Sequence, residues 1–245
     1  KLENYNILEF QQISDSFNEM TVRIETLIKE VYETQLLVKE ARLQYLQAQI
    51  NPHFMFNVLT MIAIKVKKHR DEELYQTVTS FAGLMRGKLF RRNEVEIKLK
   101  EEMEIAGFYL YLQSERFKDI ITYNIEWESD EIKECYVPRL CIEPIVENAV
   151  IHGLEPKGTE GRIRVAIREA SEDSINIVVE DDGVGFNVNE MDDRKDNKNP
   201  RVGVMNIQRL IRNLYGDKYG VLFQSEIGKG TIVTVCLPMR KDRTV

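Results

Sequence analysis

Neither glycine nor proline occurs before Pro52, so nothing in the first 51 residues forces a helix to stop. The three cysteines, Cys135, Cys141 and Cys236, are an odd number at no metal-like spacing. That excludes a disulfide framework and points to a reducing compartment. No apolar run approaches the roughly 20 residues that span a bilayer, and no signal-peptide pattern follows Lys1. The expectation is a piece cut from a longer protein. Positive charge is not in excess either: the formal net charge is −6, which argues against nucleic acid as a direct partner. With 43% hydrophobic and 30% charged residues the chain is not disordered.

What the chain does have is periodicity. Ile13, Phe17, Met20, Ile24, Leu27, Val31, Thr34, Val38, Ala41, Tyr45 and Ala48 alternate steps of four and three, a heptad seam that predicts a dimerising coiled-coil helix. Thr34 and Ala41 weaken it locally. A second helix is predicted over about 71–91, with Leu74, Val78, Phe81, Met85 and Leu89 on the face toward the helix containing His53. The polar stretch KKHRDEE turns between them, with His69 as a solvated turn residue. Doubled by the coiled coil, these helices would form a four-helix bundle. A third helix is expected from about Lys98 to Arg116, where Leu99, Met103, Ala106, Leu110 and Gln113 recur.

Beyond residue 118 the period changes. Strands are predicted at 120–127, 162–168, SINIVVED and Thr231–Leu237, with helices around 139–152 and 203–215. The fold class is therefore α+β, with segments 1–40, 41–118 and 119–245. The stretch NVNEMDDRKDNKNP at 187–200 has almost no apolar content and is expected to be a mobile loop.

Four small motifs carry chemistry. DDGVGF at 181–186 follows the apolar run INIVV, so a strand delivers an acid and two glycines into a turn. Such a turn also occurs with no ligand; with one, Asp181 could accept a hydrogen bond from an amine, and glycines permit close backbone approach. PIVENAVIHG sets Asn148 and His152 four apart on an apolar helix. Asn148 is either a buried structural hydrogen-bonding group or a ligand for Mg²⁺ on a nucleotide phosphate. RVGVMNIQRL opens a helix with a glycine, a natural place for phosphates. GKGT at 228–231 adds two glycines before the last strand.

In this order the motifs resemble the Bergerat-fold ATP-binding domain, the α/β sandwich shared by histidine kinases, gyrase-type and Hsp90-type ATPases and anti-sigma-factor kinases. The resemblance implies that Asp181 binds the adenine amine of ATP and Asn148 a Mg²⁺ ion. Gly183, Gly185 and Gly203 would line the nucleotide, and Gly228, Gly230 and Thr231 would close the site. Two positions depart from the pattern. Arg201 stands where a glycine is common, and Ile151 where many kinases carry a lysine, so His152 or Arg201 would replace that phosphate contact.

LQAQINPHFMFNVL, with Gln49, Asn51, Pro52, His53, Phe54, Phe56 and Asn57, resembles the phosphoacceptor motif of LytS/YesM-like bacterial sensor histidine kinases. YLYLQSERF at 109–117 and VPRLCIEPIVENAVIHG extend the match, and ISDSFNEMTVRI at 13–24 resembles the second helix of a HAMP linker. The resemblance implies ATP-dependent phosphorylation of His53, transfer to a response-regulator aspartate, a homodimer, and a place on the cytoplasmic side of the membrane through segments beyond this chain. A neutral imidazole, with a reference pKa of about 6.5, has the free lone pair such an attack needs. Pro52 either bends the helix by freeing the Ala48 carbonyl or simply opens a new one, with Asn51 as cap. Gln49, His53 and Asn57 form a polar stripe. Asn57 could orient the imidazole, hold a water for dephosphorylation of a partner, or satisfy a backbone group. Phe54 sits where many such kinases carry an acid, so no general base is visible. The rival readings are a kinase-inactive nucleotide-binding scaffold and an ATPase or serine kinase of the same fold. Pro144, four residues before Asn148, disfavours the hydrolytic one, because gyrase-type enzymes carry a glutamate there.

Overall fold

The computed structural model describes residues 16–29, 31, 32, 35, 52–68, 71–89, 94–118, 120–171, 173–187 and 200–243. The chain divides into two compact units between Asn51 and Pro52. In the first, helix α1 covers residues 16–29. Phe17, Met20, Ile24 and Leu27, four members of the heptad seam, stand exposed on it. The seam from Thr34 to Ala48, Gln49 and Asn51 of the acceptor motif, the His69 turn and residues 188–199 of the expected loop lie outside the described residues.

The second unit opens with a helical hairpin, α2 (Pro52–Lys68) and α3 (Glu72–Leu89). The described part of α2 begins at Pro52. Asp71 caps α3, its Oδ1 accepting the Leu74 N–H at 3.0 Å. Acids in the first turn and Arg86 and Lys88 in the last suit the helix dipole. The hairpin is antiparallel: Arg86 lies 4.9 Å from the Phe56 ring centre and Lys67 5.0 Å from that of Tyr75.

The expected face of α3 is covered only in part, with Val78, Met85 and Leu89 half-buried. Leu74 and Phe81 remain exposed, whereas Ser80, Ala82 and Leu84 are buried. Two glycines explain the choice. A Cβ on Gly83 would lie 2.4 Å from the Phe108 ring, and one on Gly87 would lie 2.5 Å from Ile105. Both contacts come from α4 (Leu99–Arg116), so α3 presses its smallest residues against that helix.

The rest is a two-layer α/β sandwich. Its sheet runs β2 (Ile121–Trp127), β4 (Gly161–Ser171), β5 (Ser174–Asp181), β7 (Gly230–Pro238) and β6 (Gly220–Glu226) in spatial order. The β2–β4 pair is parallel and the other pairs are antiparallel. The two-residue period points Ile163, Val165 and Ile167 of β4 and Ile175, Ile177 and Val179 of β5 into one core. Leu99, Met103, Ala106 and Leu110 of α4 fill that core from the other layer, as their spacing predicts. α5 (Glu143–Asn148) and α6 (Pro200–Tyr215) complete the layer.

Three strands escape the sequence reading. β1 (Glu96–Lys98) and β3 (Tyr136–Pro138) pair over three residues each, too few to show a period. In β6 the exposed Leu222 breaks the apolar–polar alternation. No helix among the described residues is long and apolar enough to cross a membrane.

Candidate functional site

The site forms where β5 ends. Continuing the inward period from Ile177 and Val179, Asp181 falls on the buried face, 5% exposed. Its Oδ1 accepts the Gly183 N–H at 3.0 Å, and the Thr231 N–H also donates to the carboxylate. Burial pushes its pKa from 3.8 up to about 6, against the pull of those two N–H groups. Asp182 points the other way, out to Lys157 at 3.0 Å.

Space for the carboxylate comes from a residue that sequence reasoning passed over. A Cβ on Gly153 would stand 2.6 Å from Asp181 Oδ1. The signal was the glycine directly after His152. Gly183 backs onto Gly153 so closely that its own Cβ would lie 2.4 Å from the Gly153 carbonyl. Gly185 (φ +59°) and Gly230 (φ +103°) take conformations that L side chains rarely adopt. A Cβ on Gly230 would sit 1.9 Å from the Asp181 carbonyl oxygen. Gly230→Ala should therefore lower stability by about 3 kcal/mol or more. Gly228, at φ +79° with open space around it, should lose only about 1–2 kcal/mol as alanine. Thermal melts of the two variants check the contrast.

Asn148, His152, Asp181, Gly185 and Thr231 border one cavity, walled by Ile145, Val179, Val204, Phe186 and Phe223. The two rings stand 6.4 Å apart and tilted. Apolar walls with a few converging polar groups are what a flat heteroaromatic ligand requires. Gly203, in the first turn of α6, closes on Asn148: a Cβ there would be 3.4 Å from the amide nitrogen. Gly183, Gly228 and Gly230 shape the backbone behind the cavity without bordering it. The single helix expected over 139–152 is instead α5 ending at Asn148, followed by a π-helical turn, Ala149–Leu154. Such widened turns recur at functional sites. This one keeps both Asn148 and His152 on the cavity.

His53 and Asn57 lie elsewhere, on α2, and Asn57 is exposed. Asn57 does not border the cavity. No group of three or more His, Cys, Asp or Glu side chains suited to a metal occurs among the described residues. The Asn148 amide oxygen is a single hard donor. It fits a Mg²⁺ that arrives with phosphate oxygens and water better than a resident ion in a protein cage.

Comparison with known proteins follows the same division. Residues 41–121 match a family described as "Histidine kinase". Residues 138–241 match one described as "Histidine kinase-, DNA gyrase B-, and HSP90-like ATPase". Sensor histidine kinase YesM of Bacillus subtilis (strain 168) is 32% identical over 236 residues, 96% of this chain and 40% of that protein. Sensor histidine kinase YpdA of Escherichia coli (strain K12) is 29% identical, covering 84% of this chain and 37% of its own length. Sensor protein LytS of Oceanobacillus iheyensis is 28% identical, covering 88% and 37%. The chain thus spans about two fifths of the length of these relatives. With both halves matched in order, it belongs to the sensor histidine kinases of the LytS/YesM kind.

Proposed function

We propose that this chain is the catalytic portion of a membrane-anchored sensor kinase that uses ATP to phosphorylate His53 and passes the group to a response-regulator aspartate. The observation that carries the reading is the convergence of Asn148, His152, Asp181 and Thr231 on one apolar-walled cavity, in a chain whose helical half matches histidine kinases. Asp181 accepts the adenine amine while Phe186 and Phe223 flank the base. Asn148 would hold Mg²⁺ on the phosphates, and His152 and the first turn of α6 would meet the phosphate end. Mg²⁺ when bound neutralises charge on the β- and γ-phosphates. An imidazole nitrogen of His53 attacks the γ-phosphorus, the bond to the β–γ bridging oxygen breaks, ADP leaves, and the imidazole loses its proton.

Segment 1–40 acts as a HAMP-linked input rod, 41–118 as the dimerisation and phosphotransfer helices, and 119–245 as the ATP-binding domain. The exposed seam on α1 suits a second copy of the chain, placed on the cytoplasmic side of the membrane. The direct test is incubation with γ-labelled ATP: label should become acid-labile and base-stable on the protein. Replacing Leu27 and Val31, both exposed here, with Asp would set like charges across a parallel seam. The autophosphorylation rate should change while ATP affinity does not. An unchanged rate would reduce the rod to a tether.

A further inference from the structure

Polar contacts gather at the C-terminal end of α3. Arg139 Nη2 donates to the Gly87 and Lys88 carbonyls at 2.6 and 2.9 Å, satisfying acceptors that the helix end leaves open. Lys88 Nζ reaches back to Glu143 Oε1 at 2.7 Å and toward Glu147 Oε2 at 3.6 Å. Both acids are on α5, the helix that ends in Asn148. Glu143 is only 2% exposed, so its partner matters: burial raises its carboxyl pKa and Lys88 opposes the rise.

The turn that presents Arg139 is held firmly. Glu102, wholly buried on α4, accepts the Leu140 and Ile142 N–H groups at 2.9 Å each. Leu140 sits at φ 55°, a conformation a leucine keeps only when its surroundings impose it.

The same end of α3 lies beside the start of α2. Arg86 stands over the Phe56 ring, so in an antiparallel pair the last turn of α3 comes level with the His53 turn of α2. α2 and α4 meet α3 on separate faces, the second through Gly83 and Gly87. No described residue of α2 borders the nucleotide cavity. With these contacts made, the described part of the acceptor helix stays clear of the cavity of its own chain.

We propose that Arg139, Lys88 and Glu143 form a latch that restrains phosphoryl transfer by fixing the nucleotide helix to the end of α3. The proposal rests on the reading of His53 as acceptor. Glu143 is buried while Lys88 is 35% exposed, so the pair holds firmly when shut and opens from its solvent side only when α3 shifts and lets water reach the carboxylate. With the latch open, α3 glides along α4 without leaving it, and the ATP-binding domain shifts its cavity toward His53.

The test uses the 245-residue chain. Lys88→Met with Glu143→Gln removes both charges and strands neither; Arg139→Gln removes the helix cap. Each should raise the initial rate of histidine labelling about fivefold, with the dissociation constant of a fluorescent ATP analogue unchanged. Lys88→Arg, which keeps the pair, should label at the wild-type rate. Rates equal to or below wild type in both releasing variants would overturn the latch. Absence of label in the wild type would sink the kinase reading instead. Amide exchange in α3 then decides the latch alone: faster exchange near Lys88 in the releasing variants supports it, and unchanged exchange rejects it.

Discussion

Asp181→Asn is expected to yield a nucleotide-free protein more stable than the wild type at pH 7 and above, yet one that binds ATP about 1.5–3 kcal/mol more weakly. The two effects have one cause. Asp181 holds its proton more tightly folded than unfolded, with a pKa of about 6 against 3.8. Its favourable contribution is complete below about pH 3.8 and is lost as pH rises through about 6. Above that, a charge sits buried. Asparagine removes the charge, and the gain should reach about 1–3 kcal/mol at neutral pH.

On the proposed reading ATP should reverse the balance, because an adenine amine would donate to the ionised carboxylate. Binding should therefore release a proton and weaken as pH falls below about 6, and the asparagine variant should lose that pH dependence. Calorimetry in buffers of different ionisation heat reads both the affinity and the proton. Unaltered affinity in Asp181→Asn would remove the residue from the site.

His53→Gln should abolish acid-labile labelling while nucleotide binding stays at the wild-type level. Glutamine keeps polarity and length but lacks a nucleophilic ring nitrogen. The control is His152, the histidine that borders the nucleotide cavity. It lines the same cavity as Asp181 and on the proposed reading meets the phosphates, so His152→Gln should weaken binding and leave the label on His53. Label that survives His53→Gln and disappears with His152→Gln would move the acceptor to the cavity itself.

The sequence carried much of this because its strong periods coincide with burial. The inward residues of β4 and β5 and the α4 stripe Leu99, Met103, Ala106 and Leu110 all fill the core that their spacing implies. Asp181 was legible because an apolar strand ran straight into it. Less legible were features set by contacts between distant segments. The burial of Ser80 in place of Leu74 and Phe81 follows from Gly83 and Gly87 meeting Phe108 and Ile105, and no one-dimensional pattern encodes that preference for closeness over hydrophobicity. Gly153 was hidden for a similar reason: its partner, the Asp181 carboxylate, is 28 positions away in the chain. The π-helical turn after Asn148 has no compositional mark of its own.

The glycine seam between α3 and α4 also has a mechanical consequence. Helices interlocked by large side chains resist sliding, because each knob must climb out of its hole. Gly83 and Gly87 sit one turn apart and offer Phe108 and Ile105 a shallow trough instead. Such a track is stiff against separation, since contact is close along its length, and comparatively slippery along the helix axis. Shear in steps of about one turn, 5.4 Å, is then the soft mode of the joint. A push or pull delivered lengthwise through the hairpin would be transmitted as glide.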